Sequence, residues 1–500
     1  MLAILRPELL RSRARGLVCG VAIGLFAVAG VAPAPAFAGD LPTKKGEANA
    51  EEKKPDEPKP LIAPDGIPSP SIATSLPPEI GGFFGLRKAL ADRGFQFGVN
   101  YIGEGLANFS GGATRTGAIY EGRLELTLDG DLNKAIGIPG LTMRISAFQI
   151  HGRGLSTYNI GNLMPISNIE ATHATRLFEA WLQQEFLGGK ASLRFGQLAA
   201  DQEFVTTSWG GIFINGTFGW PTITAANLPS GGPAYPLAAL GARLKIDATD
   251  NLSLLAAVFN GDPAGPATPF NDPNPQARNN GGINFRLRDR PFVIAEAQGK
   301  YEIAGLAGMA KLGGWAHFGR FADQRIGIDG LSLANPASVG VALNHRGNNG
   351  VYGVIDQQIY KLPSGEPDKG VGVFARASFS PGDRNLVSVY LDGGVNFTGM
   401  IAGRPDDSFG VAVGYARISG AARAFDYDTN FFNGSFAPVR ASETTIEATY
   451  LFKVIDGWTL QPNVQYVIRP GGGIPDARDP LGLQRAGNAL VAGLRSTIRY

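Results

Sequence analysis

The sequence predicts an all-β protein: a closed antiparallel transmembrane β-barrel of about 16 strands, preceded by a short N-terminal periplasmic helix. Three observations predict it. From residue 95 onward, apolar and polar residues alternate with period two in one segment after another, as in strands with one apolar and one polar face. Many segments reach the roughly ten residues that a tilted strand needs to cross a bilayer. Their connections alternate between tight turns and long loops, the arrangement of an outer-membrane barrel.

Composition narrows the alternatives. Glycine fills 69 of 500 positions, about twice the usual share. Lys+Arg 45 against Asp+Glu 43 leaves a net charge of +2, without the basic excess of a nucleic-acid binder. A chain that is 44 % hydrophobic with balanced charge is also not disordered as a whole.

Residues 1–38 read as a signal peptide. Arg6, Arg11, Arg13 and Arg15 form a basic start, 16–32 is apolar, and Ala36-Phe37-Ala38 is a small-x-small cleavage site. Pro33 and Pro35 break the apolar run, which is too short for an anchor. Cleavage after Ala38 removes Cys19, the only cysteine, so disulfides play no part. Residues 39–78 read as a disordered Pro/Lys/Glu-rich periplasmic linker, with Lys44-Lys45, Glu51-Glu52-Lys53-Lys54 and a proline-rich run at 55–60. A tether to the cell wall is the functional alternative to an unstructured tail, which the composition favours. Residues 79–94 read as one short amphipathic helix, with Phe84, Leu86 and Leu90 apolar and Arg87 and Lys88 opposed.

Residues 95–500 form the barrel domain. Its strands are expected at about 95–109, 117–130, 141–152, 174–187, 190–198, 238–248, 251–260, 291–303, 308–321, 349–362, 370–380, 386–398, 408–419, 442–453, 458–468 and 487–500. In the second, Tyr120, Leu124, Leu126 and Leu128 oppose Glu121, Arg123, Glu125, Thr127 and Asp129. In the last, Leu490, Ala492, Leu494, Ile498 and Tyr500 share one parity, so the chain ends on an outward aromatic. After residue 38 there is no apolar run long enough for a spanning helix. Closing the sheet pairs every backbone donor in lipid without leaving an edge. One connection, 381–385, is short where a long loop is due, so the count is open by a hairpin.

Trp458-x-Leu460-Gln461-Pro462-Asn463-Val464-Gln465-Tyr466-Val467-Ile468-x-Pro470-Gly471-Gly472, followed by Asn488-Ala489-Leu490-Val491-x-Gly493-Leu494-Arg495, resembles the carbohydrate-selective porin family of the OprB type. Arg176-Leu177-x-x-x-Trp181-Leu182, Gly196-Gln197-Leu198, Phe259-Asn260-Gly261-Asp262-Pro263 and Arg404-Pro405-x-Asp407 resemble the same family in the same order. The resemblance spans roughly residues 83–500. It implies a sixteen-stranded barrel in the bacterial outer membrane and passive diffusion of sugars into the periplasm.

A sugar has hydroxyls for hydrogen bonds and C–H faces that suit flat aromatic surfaces. The inward parity supplies candidate path residues: Glu121, Arg123, Glu125, Arg144, Glu179, Trp181, Gln183, Arg194, Arg243, Lys245, Glu296, Gln298 and Arg376. Any one of them also suits the plainer role of hydrating the lumen or bracing the wall. The loop at 199–239 is far longer than an ordinary connection and carries Trp209, Phe213 and Trp220. It is the candidate constriction; lying over the mouth and touching a neighbouring subunit are the alternatives.

The expected partners are mono- or oligosaccharides and outer-membrane lipid, with no nucleic acid. The outward apolar residues suit lipid and subunit contacts alike, which leaves a monomer or a trimer open. No cofactor or metal is expected: His151, His173, His317 and His345 lack ligand spacing. There is no G-x-S-x-G elbow, and Gly370-x-Gly372-x-x-Ala375 enters a strand rather than a helix. A barrel-borne hydrolase therefore has no constellation behind it, and no enzyme activity is expected. A porin for small anions or organic acids is the closer rival; the Glu residues beside the Arg residues favour a neutral solute.

Overall fold

The computed structural model describes residues 62–500 apart from 364, 365, 367 and 368. The signal peptide and the linker up to residue 61 lie outside the described residues. Sixteen antiparallel strands close into one barrel in sequence order. They are β1 Phe95–Gly112, β2 Gly117–Asp131, β3 Leu141–Gly152, β4 Ala174–Phe186, β5 Ala191–Leu198, β6 Ala239–Thr249, β7 Leu252–Phe259 and β8 Phe292–Ile303. The second half comprises β9 Leu306–Gly327, β10 Ala342–Lys361, β11 Gly370–Phe379, β12 Val387–Thr398, β13 Ser408–Ile418, β14 Ser442–Ile455, β15 Trp458–Ile468 and β16 Gly487–Arg499. Closure comes from β1 on β16, with Tyr101 opposite Ile498.

The period-two pattern sets the two faces. Leu126, Ile355, Val413 and Leu494 point outward and are exposed, whereas Glu121, Arg243, Arg376 and Gln465 of the opposite parity are buried inside. Among the described residues no helix is long and apolar enough to cross a membrane. The short connection at 380–386 joins β11 directly to β12, with Val389 opposite Phe379, and the strand count stays at sixteen.

Two strands are longer than expected. β9 and β10 run on as a hairpin as far as Gly327 opposite Ala342. That extension carries Arg320, Asp323, Gln324 and Arg325 opposite Asn344, His345 and Arg346. Polar on both parities, it shows no alternation to announce a strand.

The N-terminal region departs further. Instead of one helix over 79–94 there are two, α1 Pro78–Gly81 and α2 Leu86–Ala91. Between them Phe83, Phe84 and Gly85 all have positive φ, 49°, 54° and 83°. The expected faces are also inverted: Arg87 is fully buried while Phe84 and Leu86 are exposed. Arg87 donates to the carbonyls of Gly66 at 3.1 Å and Phe97 at 2.9 Å. Its guanidinium lies 4.2 Å from the Phe97 ring and 4.6 Å from the Tyr500 ring, a cation–π arrangement.

Residues 62–78 also follow a defined path rather than an unstructured one, with Ile62, Ser71 and Ala73 buried. The chain there passes so close to the β14–β15 turn that a Cβ on Gly457 would sit 2.0 Å from the Ile72 nitrogen. Composition misses this because the contacts are made mainly by backbone and a few small residues.

The largest apolar cluster lies inside the barrel. Phe204, Val205 and Leu228 of the β5–β6 loop pack on Leu255, Phe292 and Trp315 of the wall. Burying each large side chain contributes about 1.5–3 kcal/mol, enough for the loop to stay docked.

Candidate functional site: a lumen narrowed by two loops

The β5–β6 loop, residues 199–238 and here called L3, crosses the lumen and is tied to the far wall. Glu296 on β8 accepts the Val205 N–H at 2.8 Å. Asp356 on β10 accepts those of Ser208 and Trp209 at 3.1 and 3.2 Å. Glu447 on β14 accepts those of Ile214 and Asn215 at 2.7 and 2.9 Å. Asn215 also donates to Gln465 on β15 at 2.9 Å. These bonds tie the loop to inward-facing side chains of the wall.

Arg376 on β11 is the central tie. Its Nε donates to Asp392 at 3.0 Å, Nη1 to the Val205 carbonyl at 2.9 Å, and Nη2 to the Thr217 and Phe218 carbonyls at 3.0 and 2.9 Å. Neither Arg376 nor Asp392 exposes any side-chain surface.

A second loop, 153–173 or L2, joins L3 in the lumen. Glu443 on β14 accepts the Leu163 and Met164 N–H groups at 2.7 Å. Asn168 donates its N–H to the Ile214 carbonyl at 2.8 Å. Carboxylates on fixed strands thus satisfy the backbone donors of two irregular loops that would otherwise be orphaned inside the barrel.

Around the docked loops, open space remains at several places inside the barrel. One cavity of about 370 Å³ is lined by Arg123, Asn168, Glu170, Asp201, Trp220 and Arg495 among others. A second, of about 650 Å³, is lined by Arg144, Trp181, Arg194, Glu203, Arg243 and Lys311 among others. Gln202 lines both. A third, of about 490 Å³, shares Ile102, Arg123 and Arg495 with the first and reaches the turns at Lys369, Asp406 and Gly457.

The sequence-derived candidates sort into two groups. Arg123, Glu125, Arg144, Glu179, Trp181, Arg194, Arg243 and Lys245 line these cavities. Most of their charges are paired. Arg144 forks onto Asp129 at 2.7 and 3.0 Å, and Arg194 and Arg243 share Glu203 at 2.5 and 2.6 Å. Lys245 meets Asp247 at 3.3 Å, and Arg123 meets Glu125 at 3.4 Å. Arg194 also lies 3.9 Å from the Trp181 ring. Trp181 Nε1 and Arg123 Nε are buried donors without a protein partner.

The other group braces the interior. Arg376 and Glu296 hold L3 and line none of these cavities, a correction to their place among the path candidates. Each is inward by parity, but parity cannot tell open lumen from lumen filled by a loop. Glu121 is likewise buried, with one carboxylate oxygen unpartnered.

Of the loop aromatics, Trp220 faces the first cavity and donates to the Gly231 carbonyl at 3.0 Å. Phe213 is instead a buried plug, 5.1 Å from Phe218 and 5.8 Å from Phe374. Trp209 lies flat over β11, where a Cβ on Gly372 would come within 1.9 Å of its indole. That close approach accounts for Gly372, whereas Gly370 has φ 126° and a Cβ there would sit 2.0 Å from the Tyr360 carbonyl oxygen.

Sequence reasoning missed Glu443, Glu447, Asp356, Asn168, Glu170, Asp201 and Arg495 as site residues. Inward parity marks the three strand carboxylates and Arg495. Nothing local marks the loop residues, whose position depends on the fold of L2 and L3.

Burial pushes the Glu170 carboxyl up to about 7, although it accepts the Ser156 N–H at 3.1 Å. The group is thus protonated below neutrality and charged above it. Acidification through pH 7 is expected to remove a negative charge from the cavity and shift ion selectivity toward anions. Reversal potentials in a KCl gradient across planar bilayers measure this, and Glu170→Gln is expected to flatten that titration.

A sixteen-stranded barrel with a polar lumen narrowed by inward loops, and paired charges beside aromatic rings, defines a diffusion porin. The chain belongs to the family described as carbohydrate-selective porin, OprB family, whose model matches residues 115–500. It is an outer-membrane sugar porin, a channel by family and fold.

Porin B of Pseudomonas aeruginosa is 24 % identical over 438 residues, 83 % of this chain and 90 % of that protein. The putative porin QuiX of Acinetobacter baylyi is 19 % identical over 445 residues, 84 % of this chain and 92 % of that protein. Among solved structures, the high-pH structure of Pseudomonas putida OprB superposes with a TM-score of 0.73 at 22 % identity. The match covers 84 % of this chain and 97 % of that one.

Proposed function

We propose that sugars pass through the two cavities that meet at Gln202, and that Arg123, Trp181, Arg194 and Trp220 form the selective part of this route. The observation that carries the proposal is the pairing of aromatic faces with guanidinium groups bridged by a carboxylate. Arg194 is stacked on Trp181 and shares Glu203 with Arg243, so the site offers donors, acceptors and a flat apolar surface with its positive charge partly offset. A neutral polyol gains hydrogen bonds there, while a small anion finds guanidinium groups already engaged by a carboxylate. The unpartnered donors on Trp181 and Arg123 are the kind of buried group that a solute hydroxyl or a water satisfies. The scale of the cavities, a few hundred cubic ångströms, suits monosaccharides.

Sugar-induced reduction of ion current through single channels tests this route. Trp181→Ala removes stacking of the kind worth about 0.5–1.5 kcal/mol, so the sugar concentration for half-reduction is expected to rise by up to about tenfold. An unchanged value would place the path elsewhere in the lumen.

A further inference from the structure

Resting on the outer-membrane barrel, we infer that α1, α2 and the turn between them form an interfacial foot that inserts apolar side chains into the glycerophospholipid headgroup region at the periplasmic rim. Ile80, Phe83, Phe84 and Leu86 are all exposed, Phe84 by 82 %. They do not stand over the lumen. Phe83 packs edge-on against Phe97 at 5.9 Å and Tyr500 at 6.5 Å. Phe97 is paired with Leu128 and Tyr500 continues the outward parity of Ile498. The patch is therefore continuous with the outer, lipid-facing surface of the barrel.

The backbone is arranged to produce this display. Two successive phenylalanines adopt the left-handed region, φ 49° and 54°, which bulky residues rarely occupy. The Phe83 and Phe84 N–H groups close back onto the Ile80 and Glu79 carbonyls at 2.9 and 2.6 Å, ending α1. Arg87, buried between Phe97 and Tyr500, pins the following helix to the same outer surface, and the Tyr500 hydroxyl donates to the Ile80 carbonyl. Lys88, paired with Asp92 at 2.9 Å, and Arg93 remain exposed beside the apolar patch. Apolar side chains flanked by charged ones match the chemistry of a phospholipid interface.

The test places a nitroxide label on Phe84→Cys in a Cys19→Ala background, with the barrel reconstituted in phosphatidylcholine bilayers. Labels on Leu494→Cys, in the outward band, and on Asp65→Cys, exposed on the described N-terminal segment, serve as lipid and water references. The label at 84 is expected to collide more with oxygen than with a water-soluble nickel chelate, as at 494. Collision rates matching those at 65 would overturn the foot. Spin–spin broadening that disappears on dilution with unlabelled chain would also overturn it and assign the patch to a second copy. Oxygen accessibility at 494 reports insertion of the barrel separately, so failure of the foot is distinguishable from failure of the membrane assignment.

Discussion

Arg376→Met is expected to destabilise the barrel and to release L3 together. The guanidinium is buried, bonded to Asp392 and to four carbonyls of the loop, those of Val205, Thr217, Phe218 and Gly219. Removing one partner of a buried pair leaves an uncompensated charge and costs about 3–5 kcal/mol. Asp392 would retain the Tyr390 hydroxyl at 2.7 Å, which softens the loss without replacing a cation. Denaturant-dependent, heat-modifiable migration reads the stability and single-channel recording reads the loop. The double variant Arg376→Met/Asp392→Leu separates the two effects. With both charges gone the stability is expected to recover toward the parent, while the Val205, Thr217 and Phe218 carbonyls still lack their donor and the channel stays noisier and wider. Recovery of both properties would show that Arg376 does nothing for the loop.

Glu443→Ala/Glu447→Ala is expected to open the pore. Glu443 holds L2 through the Leu163 and Met164 N–H groups and also accepts the Gly471 N–H of the β15–β16 loop. Glu447 holds L3 through Ile214 and Asn215, and accepts from Asn463 at 2.6 Å. The double replacement strands these buried donors, each costing about 1–3 kcal/mol when left unsatisfied. Water entering the lumen is the available substitute, and that requires both loops to lift from the wall. Conductance should rise severalfold, and the ratio of sugar to ion permeation should fall, while the strand ladder stays intact. A parental conductance in the double variant would mean that the apolar contacts of L3, such as Phe213 on Phe374, hold the loop without the carboxylates.

The barrel was legible in the sequence because its cause is local. Each strand carries its own period-two pattern, as at Leu124, Leu126 and Leu128 against Arg123, Glu125 and Thr127, and every one of the sixteen expected segments overlaps an observed strand. The pattern fails where both faces are wet, as in the β9–β10 extension, and where a charge is buried among aromatic rings, as at Arg87. The site was legible only in part. Parity marks Arg194, Arg243 and Arg376 alike as inward, yet Arg194 faces a cavity whereas Arg376 is sealed beneath L3. What separates them is the route of a loop whose anchors lie 91 to 250 residues away in sequence, and no local pattern encodes such a distance.

If paired charges and stacked rings make the lumen select neutral sugars, uptake into liposomes carrying the purified chain separates a monosaccharide from a zwitterionic amino acid of similar size and from inorganic phosphate. The sugar is expected to enter fastest of the three. Equal rates would reduce the protein to a general pore, and a clear lead for phosphate would overturn selection of neutral sugars outright.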